Sequence, residues 1–376
     1  MHILSIVGAR PNFVKIAPLI REMTRRPAFT STLVHTGQHY DAAMSERFFR
    51  DLEIHPPHFN LEVGSGAHAI QTAHVMERLD PILEEVRPDI VLVVGDVNST
   101  LAASITAVKR AIPVAHVEAG LRSFDRSMPE EINRVLTDAV SDFLFVTEES
   151  GRDNLLREGV SPEKIHFVGN VMIDALESSR HRWQGSAIAQ SLGLDPGAGY
   201  AVLTLHRPSN VDDPRTLANL LEPLQMLSRH IPIIFPVHPR VRQRLVQQGC
   251  RLGDAPQPLE GKAIAYVDPL GYLDFVALVS RARLVLTDSG GIQEEATILG
   301  VPCLTLRDNT ERPVTITHGT NRLIGGDGRR ILSASLQTLA HPPRPHGAPP
   351  LWDGHAAERI LDVLDDYRQG KGPASA

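Results

Sequence analysis

Residues 284–300 read Leu284-Val285-Leu286-Thr287-Asp288-Ser289-Gly290-Gly291-Ile292-Gln293-Glu294-Glu295-Ala296-Thr297-Ile298-Leu299-Gly300. The apolar run Leu284 to Leu286 predicts a strand, the small residues a turn, and the segment from Glu294 to Leu299 a helix stopped by Gly300. Such a turn points free backbone N–H groups and the positive end of the helix dipole at whatever sits above it. Gly290 and Gly291 remove the side chains that would keep a phosphate away, and Glu295 falls about one turn further in, within reach of sugar hydroxyls beside that phosphate. The guest that suits this turn is a nucleotide diphosphate. An ordinary βα turn with a glycine pair reads equally well from this stretch alone.

The same alternation of short β-rich runs and helix-period segments extends over the chain. Strands are predicted over 2–7, 32–36, 90–94, 114–117, 143–146 and 165–168, with helices over 13–25, 67–86, 99–110 and 130–141. The pattern then restarts, with strands over 201–205, 231–237, 264–267, 284–287 and 303–306 and helices over 214–228 and 272–280. Strand, helix, strand at this spacing means βαβ units and parallel sheets covered on both faces. The expected class is therefore α/β, with two Rossmann-like doubly wound domains over 1–170 and 171–354, and 376 residues suit that number. Five prolines in residues 341–350 preclude regular structure there, before a last helix over 355–368 and a disordered tail over 369–376. Ligands of open α/β sheets bind outside the carboxyl ends of the strands, so two such domains facing each other place one site in the cleft between them.

Composition excludes several classes. With 42% hydrophobic and 22% charged residues the chain has ample material for packed cores. A net charge of −6 with scattered Lys and Arg argues against a nucleic-acid surface. No stretch approaches the roughly 20 apolar residues of a membrane span, and the apolar start at Met1 to Val7 is too short and lacks the basic flank of a secretory signal. Cys250 and Cys303 make no CxxC, which fits a reducing, cytoplasmic compartment. No spaced His, Cys or acid set suggests a metal, and no cofactor is expected. Gly64-Ser65-Gly66-Ala67-His68-Ala69 fits the dinucleotide template, but residues 60–63 make a poor buried strand and the motif is not expected to start a βαβ unit.

The residues just after the strands carry the chemistry. Arg10 lies in the turn after the first strand and Lys15 in the first helical turn, where the dipole disfavours cations unless an anion is bound. Asp96, after 90–94, precedes Asn98-Ser99-Thr100 and reads equally as a helix cap. Glu118, at the tip of the strand Val114 to Val117, is harder to explain as structure. Glu130 and Glu131 follow Pro129 at a helix start, where acids suit the dipole, and Glu130 shares a face with Arg134 at i, i+4. Asp96, Glu118 and Glu130 thus form a candidate acidic set, and crowded carboxylates raise one another's pKa toward values useful for proton transfer. In the second half His206 and Arg207 follow a strand directly; His238 repeats the arrangement but, as one of 17 histidines, reads by default as structural. Arg312, beyond the strand after the Gly-Gly helix, is placed to reach the same diphosphate.

Together these segments resemble the non-hydrolysing UDP-N-acetylglucosamine 2-epimerases, which share the two-domain architecture of GT-B glycosyltransferases. The matching segments run in order over nearly the whole chain: Gly8-Ala9-Arg10-Pro11, Gly95-Asp96, His116 to Arg122, Pro129 to Arg134, Asp288 to Glu295 and Thr310-Glu311-Arg312-Pro313. The resemblance implies that Arg10, Lys15, His206, Ser289, Gly290, Gly291, Glu295 and Arg312 hold UDP, with Phe275 near the uracil. It also implies that Asp96, Glu118 and Glu130 take part in the chemistry, with His206 beside them and Arg134 as a neighbouring contact. It further implies a homodimer that needs no cofactor, and a last helix that returns to the first domain. Two departures stand out: Gln38-His39-Tyr40-Asp41 replaces the Gln-His-Arg of many bacterial members, and His206-Arg207-Pro208-Ser209 replaces their His-Arg-Arg-Glu. Both positions bear on a second, activating nucleotide-sugar molecule in those enzymes. Residues 35–41 also resemble relatives acting on diacetamido-uronic acid nucleotides, while Glu311-Arg312-Pro313 points back to UDP-GlcNAc. A GT-B glycosyltransferase and a non-catalytic nucleotide-sugar sensor are the other readings. A transferase needs one base and leaves the acidic set without a role, whereas a sensor keeps its function when those acids are replaced.

Overall fold

The structure, a computed structural model, describes residues 1–37, 49–194, 197, 199–247 and 264–371. It divides into two compact units, residues 1–178 with 350–376 and residues 179–349. The boundary falls at 178 rather than near 170, because the helix Val171–Ser178 packs with helices Arg10–Arg25 and Ala356–Arg368 of the first unit.

The first unit holds seven strands, β1 (His2–Val7), β2 (Thr30–His35), β3 (Phe59–Asn60), β4 (Ile90–Val94), β5 (Val114–Ala119), β6 (Phe143–Val146) and β7 (Ile165–Phe167). They form one parallel sheet in the order β3-β2-β1-β4-β5-β6-β7. Every residue of β4, Ile-Val-Leu-Val-Val, is buried, as a strand with helices on both faces requires. Helices His68–Val86 and Asn98–Lys109 close one face through Val75, Leu79, Leu83, Ala102, Ala103 and Ala107.

The second unit repeats the plan with β8 (Ala201–Thr204), β9 (Ile233–Pro236), β10 (Ile264–Val267), β11 (Leu284–Thr287), β12 (Cys303–Thr305) and β13 (Asn321–Leu323), in the parallel order β10-β9-β8-β11-β12-β13. Two apolar clusters, one around Leu203, Leu286 and Leu304 and the other around Val202, Val285 and Cys303, bury the two sides of this sheet. The fold class is the one expected, two Rossmann-like doubly wound parallel sheets. β3 and β13 were not anticipated, since two- and three-residue edge strands leave no alternating pattern to read.

Residues 341–350 form no helix or strand. The chain then rejoins the first unit at 350, earlier than the expected 355, and Trp352 Nε1 donates to Thr147 O at 2.9 Å. The Asp174 carboxylate accepts the N–H groups of Ala356 (3.1 Å) and Ala357 (2.7 Å) and so caps the last helix. Of the expected tail, 372–376 lie outside the described residues, as do Cys250 and positions 38–41. One expectation is corrected: Gly64 to Ala69 does open a helix between parallel strands, but behind the two-residue β3 at the sheet edge. No helix among the described residues is long and apolar enough to cross a membrane.

Candidate active site

In the first sheet chain order reverses between β1 and β4, and the candidate residues gather at the carboxyl ends there, where doubly wound folds bind ligands. Asn12 ties the two strand ends together. Its Oδ1 accepts from Gly8 N (3.2 Å) and Ala9 N (2.8 Å), and its Nδ2 donates to Val94 O (2.9 Å). Arg10 opens the helix Arg10–Arg25; its side chain lies outside the described part of the structure. Lys15, one turn later, is buried with Nζ 2.5 Å from Glu118 Oε2, so Glu118 supplies the anion that its unfavourable position calls for. Gly95 makes room for this pair, because a Cβ there would stand 2.9 Å from Lys15 Nζ.

Glu118 occupies a bulge. The register of β5 against β6 shifts between Val117 and Ala119, and Glu118 has φ +75°. That region costs a non-glycine residue about 1–3 kcal/mol, and such strain and such bulges concentrate where a side chain has to be re-aimed. Buried partners brace both sides. His116 places Nδ1 2.6 Å from Asp138 Oδ1 and Nε2 2.9 Å from Gly95 O, while Asp138 Oδ2 accepts Gly120 N at 3.0 Å and pairs with Arg122 at 2.7 Å. Burial pushes the Asp138 carboxyl up, but His116 and then Arg122 outweigh it and hold Asp138 below the usual carboxylate range.

Val97 stands at the cap position of the helix Asn98–Lys109, one residue after Asp96. Asp96 Oδ2 takes Arg134 Nη1 at 2.5 Å. Arg134 also gives Nε (3.1 Å) and Nη2 (2.6 Å) to Glu131 Oε2. Glu131 accepts in addition from Ser123 N and Oγ and from Phe124 N, each at 2.9 Å. Burial raises the Glu131 carboxyl, yet these donors win and keep it below its ordinary value. Glu131 is therefore the helix-start glutamate committed to structure, and Glu130 is the half-exposed one. The loop that Glu131 gathers holds Phe124 at φ +59° and 71% exposed.

In the second sheet the reversal lies between β8 and β11. Ser289 precedes the helix Gly290–Leu299, whose first two residues are the glycines, and Ser289 N is held by Thr287 Oγ1 at 2.9 Å. His206, 37% exposed, places Nδ1 2.8 Å from Oδ1 of the fully buried Asp288. A Cβ on Gly290 would lie 2.7 Å from Glu311 Oε1 and 2.8 Å from Arg312 Nη1, so glycine alone allows Arg312 this close to the helix start. Arg312 binds Glu294 (2.5 Å) and Glu311 (2.8 Å), and Arg307 (2.8 Å) and Arg207 (3.7 Å) share Glu311. Three guanidiniums thus converge on Glu294 and Glu311 beside the N-terminus. Glu295 is buried one turn in; burial first, then the neighbouring Glu294, pushes its carboxyl up to about 8. Phe275, on helix Tyr272–Ser280, is half-buried against the core.

In the first unit Lys15 thus meets Glu118 and Arg134 meets Asp96, and in the second His206 and Arg312 flank the start of the glycine-fronted helix, while Phe275 lies against the core. Sequence reasoning missed Asp288, Glu131, Asp138 and Glu311 as the carboxylates that orient them. The available signal was an acid flanking each motif, in Asp288-Ser289-Gly290 and Glu311-Arg312. No cluster of three or more potential metal ligands occurs among the described residues.

Two doubly wound sheets, one with acids at its switch point and the other with a glycine-fronted helix among arginines, define a GT-B-like α/β protein. A family model described as UDP-N-acetylglucosamine 2-epimerase matches residues 21–365. A UDP-N-acetylglucosamine 2-epimerase of Methanocaldococcus jannaschii is 42% identical over 97% of this chain and 99% of its own. The crystal structure of that organism's enzyme in complex with UDP-GlcNAc and UDP superposes with a TM-score of 0.87 at 40% identity, covering 97% and 99% of the two chains. A UDP-2,3-diacetamido-2,3-dideoxy-D-glucuronate 2-epimerase of Pseudomonas aeruginosa is 39% identical over 97% of this chain and 99% of its own. This chain belongs to the UDP-N-acetylglucosamine 2-epimerase family.

Proposed function

We propose that this protein is an epimerase that interconverts UDP-N-acetylglucosamine and UDP-N-acetylmannosamine at C2. The observation that carries the proposal is Glu118, a buried carboxylate at a strained bulge, gripped by Lys15 and standing in one unit with Asp96 and Glu130. Inverting C2 requires its C–H bond to break, and with no ketone formed beside it that proton is not acidic. Elimination solves this. One carboxylate takes the C2 proton as the C1–O bond breaks, UDP leaves with the bonding pair, and a glycal remains. Return of a proton to the opposite face of C2 and attack of UDP on C1 complete the inversion. Asp96, Glu118 and Glu130 serve as base and acid. His206, Ser289, Gly290, Gly291, Glu295 and Arg312, with Arg10, hold UDP while Lys15 orients Glu118, and cations at the diphosphate stabilise the leaving group by about 3 kcal/mol per good donor. Phe275 lies by the uracil and Arg134 orients Asp96. Family membership also supports a cytoplasmic homodimer.

Proton NMR of the purified protein with UDP-GlcNAc in D2O, without added cofactor, tests this reading. Loss of the C2 proton signal together with a new UDP-ManNAc anomeric signal is the expected result. No exchange at C2 would overturn it and favour first the diacetamido-uronate analogue, whose epimerase is 39% identical, and then a transferase.

Glu295 yields a pH prediction. Its carboxyl is pushed up to about 8 from an ordinary 4.5, so its stabilising protonated form is lost as pH rises through about 8. Ribose hydroxyls donate to the carboxylate, so nucleoside binding expels the proton. Uridine affinity, which involves no phosphate titration, is expected to strengthen between about pH 6 and pH 8 by up to roughly tenfold per unit. Glu295→Gln flattens that profile in calorimetric titrations. A flat profile in the unaltered protein would remove Glu295 from the ribose site.

A further inference from the structure

Asp288 is fully buried, yet it sits where the chain turns from β11 into the glycine-fronted helix. Its two oxygens divide their work. Oδ2 accepts from His206 N (3.0 Å), Arg207 N (2.9 Å) and Asn210 Nδ2 (3.2 Å), which fixes the turn after β8. Oδ1 accepts from His206 N (3.1 Å) and faces His206 Nδ1 at 2.8 Å. One carboxylate therefore joins the two strand ends at the switch point and orients the imidazole that stands on one of them. The His206 ring also has the His238 ring near it, with centroids 5.9 Å apart. Hydrogen-bonded through Nδ1, the ring offers a ligand only Nε2.

We propose that Asp288 is the positioning residue for His206, fixing the ring through Nδ1 so that Nε2 donates to the diphosphate of the bound nucleotide sugar and of the departing UDP. The inference rests on the epimerase reading. The arrangement is the same as that in which a second carboxylate orients a ligating histidine, whose removal typically costs 10–100-fold in function.

Asp288→Asn keeps the shape and one acceptor but loses the charge. C2 exchange is expected to slow by roughly 10–100-fold in it. In a His206→Gln background the same change is expected to add less than about twofold, because a residue that acts through His206 has nothing left to orient. Losses that multiply in the double variant would make Asp288 a fold residue and overturn the proposal. Nitrogen NMR of the unaltered protein with UDP supplies a second readout that survives a misfolded variant: His206 Nδ1 protonated is the expected state, and Nδ1 without a proton refutes the proposal. That spectrum needs no turnover, so absence of C2 exchange in the unaltered protein would remove the epimerase reading while the Asp288 assignment is still decided.

Discussion

Glu118→Gln is expected to bind UDP within about twofold of the unaltered protein while its turnover falls by roughly 10²–10⁴-fold, the range for loss of a positioned general acid or base. Glutamine keeps the size of the side chain and leaves the bulge at φ +75° in place, so the strand tip survives. It also removes the charge facing Lys15 Nζ, and a buried ammonium without its partner is destabilising. The variant should therefore melt earlier, and Lys15→Met should restore stability to Glu118→Gln without restoring turnover. UDP titration calorimetry, C2 exchange by NMR and urea unfolding read the three quantities separately. UDP affinity falling in step with turnover, by more than about tenfold, would make Glu118 structural and empty the proposed mechanism of its central residue.

Much of this was legible because parallel sheets leave a local record. Each βαβ unit repeats a buried apolar run, a turn and a helix, so the tips of β1, β4, β5, β8 and β11 can be located by counting, and the residues just beyond them are the candidates. Helix Tyr272–Ser280 lies where its pattern predicts, whereas the helix expected from Glu294 begins already at Gly290, so the two glycines are its first residues. What could not be read is pairing. Lys15 reaches Glu118 over 103 positions, His206 N reaches Asp288 over 82, and Arg134 reaches Asp96 over 38. No periodicity encodes such contacts, because they depend on which strands become neighbours. Lys15 shows the consequence: against the dipole it predicts an anion, and only the pairing of β1 with β4 and β4 with β5 makes that anion a carboxylate of the same unit.

Adjacent glutamates at the start of helix Pro129–Val140 give the sharpest contrast, since sequence alone cannot separate them and the structure buries Glu131 among donors while leaving Glu130 half-exposed. Glu131 collects two donors from Arg134, two from Ser123 and one from Phe124 while buried. Glu131→Ala leaves Arg134 and two backbone N–H groups to find new partners, and removing one member of a buried ion pair costs about 3–5 kcal/mol. Urea unfolding should show that loss, with turnover falling as Asp96 loses the fixed guanidinium beside it. Glu130→Gln is expected to cost less stability than Glu131→Ala, yet to lower C2 exchange at least roughly 10²-fold. The reverse outcome, a destabilised Glu130→Gln with full turnover, would mean that Glu130 only serves the helix dipole. The acidic set would then shrink to Asp96 and Glu118, the minimum that can remove a proton from one face of C2 and return it to the other.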